Sequence, residues 1–324
     1  MLRTALALSL ATSTPFTIEE IRGKRRNAGL LRQHLTAVQA AAAIGAAQVD
    51  GAALGSTTLV FKPGRVASGD YSFAVGTAGS AMLVFQTILP PLLVADGATT
   101  LTIEGGTHNP AAPPYDFIER VFVPIVERLG PRISTSLTRA GFYPAGGGQL
   151  AARIEPANQL RRLSLLDRGE ITGRRIRVLL ANLPRHIAVR EAAVATRLLN
   201  WDESSVSIES VNAPGPGNAV LIEIESEHVR EICTSFGETG VAAEAVADRV
   251  AHEARRYLAA GVPVACHLAD QLLPVLALGN GGEFRTLAPT QHTKTNADIV
   301  RLFTGATIEI IPEGRDVVRI EVKR

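Results

Sequence analysis

The 324-residue chain is 46% hydrophobic and 20% charged, the balance of a folded globular protein, which excludes extensive disorder. A net charge of +2 names no partner class, and no run of about 18 apolar residues offers a membrane span. Cys233 and Cys266 cannot build a disulfide framework and show no metal-ligand spacing, so a reducing, cytoplasmic setting is expected, and the length predicts roughly two domains.

Charge is unevenly spread. Residues 1–66 hold eight Lys/Arg against Glu19, Glu20 and Asp50, whereas residues 201–255 hold eleven acids against Arg230, Arg249 and Arg255. A polyanion is therefore drawn to the N-terminal region and repelled by the later one, although the acidic stretch reads equally as a solvated face.

The opening Met-Leu-Arg and Ala5–Ala11 imitate a secretory leader, yet Thr14–Ile18 follows as a strand without a small-residue cleavage site, so a core helix is expected. Helical spacing predicts a helix over 30–44, ended by Gly45, with short strands over 47–51 and 57–61. The pattern recurs as a helix over 80–93 with a strand over 99–104. A helix over 116–129 follows, with strands over 133–137 and 149–154, and then a helix over 296–303 with strands over 306–311 and 317–322. Four copies of helix, strand, turn and strand predict an α/β (α+β) architecture of several small sheets, each backed by helices, around a common axis. Between the third and fourth copies lie predicted strands over 176–181, 206–210 and 219–224 and helices over 187–199 and 242–258. This reads as an inserted small α/β domain over 167–263 that returns to the main body (1–166 and 264–324) at His267.

Four stretches could carry chemistry. Ile21–His34 packs five basic residues and a histidine into a loop, and the guanidinium fork suits phosphate. Gly76–Ser80 could hold an anion on its N–H groups or simply pack closely. Arg139–Gly148, with three successive glycines, requires close backbone approach to another segment or a ligand and matches no P-loop or dinucleotide fingerprint. In Ala288–Ala297, Thr295 or Asn296 is expected to cap the following helix, placing His292 beside anion-favouring N–H groups, where a neutral imidazole can attack phosphorus; taken alone, the stretch reads first as an ordinary loop with an exposed histidine.

Gly29–Val38, Gly105–Pro114, Gly141–Gly148, His267–Gln271 and Gln291-His292 together resemble the RNA 3'-terminal phosphate cyclases, in the family's order and over nearly the whole chain. The resemblance implies a fold related to the enolpyruvyl transferases. It also implies a ligase-class activity that closes an RNA 3'-phosphate to a 2',3'-cyclic phosphate, using ATP and a divalent metal (Mg or Mn). His292 takes the place of the family's nucleophile, which carries AMP. Gln86, Pro113, His267, Leu268, Ala269, Asp270 and Gln271 match nucleotide-binding positions, with His267 standing where the family usually has tyrosine. Arg3, Arg22, Arg25 and His34 match the phosphate and RNA-end site. The expected partner is an RNA 3'-phosphate end, with no membrane and no obligate protein partner. The family pattern places a strand and a glycine-rich acidic loop before Leu2-Arg3, and its carboxylate is a metal and ATP-site residue. Either a start codon assigned too far downstream, which we expect, or a shortened chain with impaired activity accounts for the difference. Two other classes share the architecture: a non-catalytic RNA-binding relative in ribosome assembly, against which His292 argues, and an enolpyruvyl-type transferase, which has no need of a covalent histidine.

Overall fold

The computed structural model describes residues 1–324. The chain begins with α1 (Leu2–Thr12), β1 (Phe16–Ile18), α2 (Arg32–Ile44), β2 (Gln48–Asp50) and β3 (Leu59–Lys62), and these strands pair antiparallel in the order β1-β3-β2. Next come β4 (Asp70–Ala74), α3 (Ala81–Leu92) and β5 (Thr99–Gly105), followed by α4 (Tyr115–Phe117), a π turn (Ile118–Phe122) and α5 (Val123–Glu127). Pro124 cannot donate to the Arg120 carbonyl, and the helix accommodates it by widening into that turn. β6 (Arg132–Arg139) and β7 (Gly148–Glu155) complete a sheet ordered β4-β5-β7-β6, in which only β4 and β5 run parallel.

β8 (Leu163–Leu165) opens the next unit, which is interrupted by β9 (Ile171–Ala181), α6 (Arg185–Leu199), β10 (Val206–Ser210), β11 (Gly217–Ser226), β12 (Arg230–Phe236) and α7 (Ala243–Ala260). It resumes with α8 (Cys266–Leu278), β13 (Gly282–Leu287), α9 (Gln291–Thr304), β14 (Thr307–Pro312) and β15 (Val317–Lys323). Its sheet is ordered β14-β15-β13-β8, with only β13 and β8 parallel.

The repeat is therefore larger than its sequence suggests. The second and third predicted copies are two halves of one β-α-β-α-β-β unit, so the main body has three sheets and not four. β4, β8, β12, α8 and β13 have no counterpart among the predicted elements. The return to the main body lies at α8, which begins one residue before His267.

Helix α1 packs against α2, α3, α8 and α9, which explains its leader-like composition. A helix with neighbours on every side must be apolar on every side, and Leu2, Ala5, Leu6, Ala7, Leu8 and Leu10 are all buried. The intervening segment folds as a sheet ordered β10-β9-β11-β12. One face packs Ile176, Val178, Val220 and Ile222 against Ala188, Ala192, Val246 and Val250 of α6 and α7, while Leu179, Ala181, Ala219 and Leu221 on the other join the main core. Burial on both faces gives β9 and β11 their long apolar runs. No helix is long and apolar enough to cross a membrane.

The glycine-rich loop meets its expectation of close backbone approach. A Cβ on Gly148 would stand 2.6 Å from the Gly141 nitrogen, and one on Gly146 would stand 2.7 Å from the Ala78 Cα.

Candidate active site

The site grows from the first turns of α8 and α9, which pack side by side. Helix α9 starts earlier than its sequence suggests. Thr290, not Thr295 or Asn296, is the N-cap, its hydroxyl accepting from the Thr293 N–H at 3.1 Å. His292 is consequently the second helical residue, exposed, in the turn where N–H groups have no helical partner. Helix α8 begins likewise: Ala269 N–H donates to the Ala265 carbonyl at 3.1 Å, and the preceding N–H groups, including those of His267 and Leu268, lie ahead of the helical ladder.

Asn296 ties these turns together. Its amide donates to the Asp270 carbonyl at 3.1 Å and to the Asp270 carboxylate at 3.3 Å. Its carbonyl oxygen accepts from the Thr4 hydroxyl at 2.7 Å, which anchors both helices to α1. Burial pushes the Asp270 carboxyl up, and the fields of His292, His267 and Arg3 oppose it. The Arg3 guanidinium is itself lowered by burial and supported by Asp270. From α3, Gln86 donates to the side-chain oxygen of Gln271, whose amide donates to the His267 carbonyl at 2.7 Å.

Arg3, which bears on Asp270, also belongs to a basic wall with His34 and Arg22. The His34 imidazole is driven down to about 4 by burial and by the charges of Arg22 and Arg3, so it is neutral at pH 7. Its Nδ1 accepts from the Leu31 N–H at 3.1 Å, which leaves Nε2 carrying the proton as a donor. Arg22 is half-buried in the left-handed region (φ +56°) and donates to the Asn27 carbonyl. Partly buried cations around a neutral imidazole donor have the chemistry to receive phosphate oxygens.

The structure thus brings together His292, Asp270, Gln86, Gln271, His267, Arg3, Arg22 and His34. The remaining expected residues add no side chain to this group. Arg25 is exposed, and its side chain makes no ion pair or hydrogen bond. Leu268 and Ala269 are core residues at 0% and 1% exposure, so only their backbone could meet a ligand. Pro113 is half-buried just before α4. At Gly76–Ser80, Gly79 N–H donates to the Thr77 hydroxyl and Ser80 N–H to Gln33 at 3.1 Å, and the next residue, Ala81, donates to the Gly106 carbonyl at 2.8 Å. Thr4 and Asn296 were not anticipated as site residues. Their partners lie in α9 and α8, and a threonine in an apolar helix gives no signal of such a role.

Comparison with known proteins finds the family model described as RNA 3'-terminal phosphate cyclase matching residues 1–310. The RNA 3'-terminal phosphate cyclase of Koribacter versatilis is 52% identical over 97% of this chain and 88% of its own. The protein of that name from Ectopseudomonas mendocina is 44% identical over 100% of this chain and 95% of its own. Among solved structures, an EPSP synthase from Acinetobacter baumannii aligns with 99% of this chain and 62% of its own at 11% identity. Its TM-score is 0.28, too low to carry an argument about architecture.

Proposed function

The chain belongs to the RNA 3'-terminal phosphate cyclase family, and on that premise we propose that it converts RNA 3'-phosphate ends to 2',3'-cyclic phosphates at the cost of ATP, through an adenylylated His292. In the first step the imidazole attacks the α-phosphorus, an N–P bond forms, the bond to the β-phosphate oxygen breaks and pyrophosphate leaves. In the second, an oxygen of the RNA 3'-phosphate attacks the same phosphorus, the N–P bond breaks and the imidazole is restored. The 2'-hydroxyl then attacks the 3'-phosphorus, losing its proton as the ring closes and AMP departs. Esterification with AMP turns a poor leaving oxygen into a good one.

The residues divide these tasks. Asp270, held by Asn296, stabilises the positive charge that builds on His292 as it attacks. Gln86, Gln271 and the first-turn N–H groups of α8 hold the nucleotide. Arg3, Arg22 and the Nε2–H of His34 receive phosphate oxygens, from pyrophosphate first and the RNA end later. A Mg or Mn ion would be carried chiefly on ATP's own phosphates, a hard cation's habit, with Asp270 the carboxylate within electrostatic reach of His292. In this reading residues 1–166 and 264–324 are the catalytic domain, and 167–263 the inserted one.

The observation that supports the reading most is His292 exposed on the first turn of α9, within the field of Asp270, a carboxylate that also feels the Arg3 guanidinium. Incubation with ATP labelled at the α-phosphate tests it. A protein-bound label that resists alkali, yields to acid and is lost in His292→Ala is the expected result; equal labelling of the variant overturns it.

A further inference from the structure

Where α7 leads into α8, three side chains of different chemistry converge. The Glu253 carboxylate lies 3.6 Å from Nε2 of His267, and Sγ of Cys266 joins them, so that one donor atom from each falls within 4.8 Å of the others. Nothing in the sequence marks this trio. Cys266 and His267 are adjacent, but Glu253 lies in a different helix, brought close only when α7 folds back on the body.

Thiolate, imidazole and carboxylate on three protein positions are the donor set of a four-coordinate zinc site with one position open. Around a tetrahedral centre with bonds of about 2.0–2.3 Å, neighbouring donors stand about 3.3–3.6 Å apart. The Glu253–His267 pair meets that spacing at 3.6 Å, and the thiol stands within 4.8 Å of both. The support behind the donors is already built. Glu231, 1% exposed, accepts from the Ala265 N–H at 3.1 Å and the Ile232 N–H at 3.0 Å, fixing the residue before Cys266. Gln271 fixes the His267 carbonyl at 2.7 Å. Access is open, since the His267 side chain is 72% exposed and that of Glu253 35%.

We propose that Glu253, Cys266 and His267 bind a single zinc-class divalent cation, with a water in the fourth position. The ion clamps α7 to the first turn of α8, the turn that carries Asp270 and Gln271 one step further on. It also gives His267 an occupation other than nucleotide contact. The proposal does not depend on the cyclase reading, because its test reads metal and not adenylyl transfer.

The probe is Co2+ added to the full chain freed of metal by chelation. One equivalent is expected to bind, with a sulfur-to-cobalt charge-transfer band and the intense visible bands of a four-coordinate ion, and Zn2+ is expected to displace it. Cys266→Ser should abolish the charge-transfer band, and His267→Ala and Glu253→Gln should each weaken binding by about ten-fold or more. Cys233→Ser, which removes a thiol only 2% exposed, should leave the spectrum unchanged. Zn2+ should raise the Tm of the parent chain and of Cys233→Ser, but not that of Cys266→Ser. A spectrum without the thiolate band, a band that survives Cys266→Ser or vanishes in Cys233→Ser, or unaltered affinity in both His267→Ala and Glu253→Gln would each overturn the assignment.

Discussion

Asn296 holds Asp270 at two points, donating to its backbone carbonyl at 3.1 Å and its carboxylate at 3.3 Å, while Thr4 holds Asn296 at 2.7 Å. The carboxylate that bears on His292 is thus positioned by a chain of side chains running from α1 through α9 to α8. Replacing Asn296 by Ala releases it. The expected result is a stability loss of about 1–2 kcal/mol in urea unfolding and a labelling rate with ATP lower by about ten- to a hundred-fold, because orientation near the attacking group is lost. A variant that labels at the parent rate would remove Asn296 from the positioning role.

His34 gives a pH test. Its imidazole titrates at about 4 because burial and then the charges of Arg22 and Arg3 disfavour the protonated form. The folded pKa lies below the unfolded one, so this contribution to stability is fully present above the unfolded value of about 6.5 and is lost as pH falls through the folded value. Bound phosphate neutralises the cations that depress it. Histidine NMR should therefore show the His34 resonance titrating near 4 in the free protein and moving up when pyrophosphate is added. An ordinary pKa indifferent to pyrophosphate would contradict the proposed basic wall.

Beside the apolar contacts of Leu179, Ala219 and Leu221, the junction between the main body and the intervening segment holds an ionic cluster. Arg177 donates to Asp116 at 2.6 Å, to Glu223 at 2.9 Å and twice to Glu209 at 2.8 Å, while His108 meets Asp116 at 3.0 Å and Arg120 meets Glu223 at 3.0 Å. Burial alone would raise the Asp116 carboxyl, but His108 and Arg177 outweigh it and hold it well below the usual range. Arg177→Met leaves two buried carboxylates short of a partner and should cost about 3–5 kcal/mol. Pairing it with Asp116→Asn should recover part of that loss, and a double-mutant cycle by chemical denaturation checks both figures.

Glu191 offers a second pH test on the opposite side of that junction. It is 1% exposed, one oxygen accepts from Asn218 at 2.5 Å and the other has no partner, so burial outweighs the Asn218 bond and pushes its carboxyl up to about 7. A raised carboxyl contributes stability that is complete below its unfolded pKa and is lost as pH rises through 7. Glu191→Gln should therefore stabilise the protein above pH 7 by about 1–3 kcal/mol and change little near pH 4. Tm measured across this range gives the answer, and a difference that does not vary with pH would refute it.

Much of the fold was legible where one period dominates. Helices α2 and α3 and strands β5 and β7 show clear alternation or helical spacing, with Gly45 and Ser80 as boundary signals. The misses share physical causes. β4 is a short strand of mixed polarity and α8 carries an internal Pro274, so neither shows a clean pattern. The start of α9 is ambiguous in sequence because Thr290, Thr293 and Thr295 all offer cap-like side chains, and only the fold selects the first. At the site, the basic loop and His292 can be read from residue chemistry. The union of His292 with Asp270 and Gln86 rested on the resemblance, and the Thr4–Asn296–Asp270 chain spans nearly the whole sequence, which no local pattern can encode.

The central claim is that His292 takes the adenylyl group, and peptide mass spectrometry of the protein after incubation with ATP and Mg2+ reads it directly. The account predicts a single added adenylyl group on the peptide containing His292, removed when an RNA 3'-phosphate is supplied. An adenylyl group on any other residue, or one on His292 that persists in the presence of the RNA end, would contradict it.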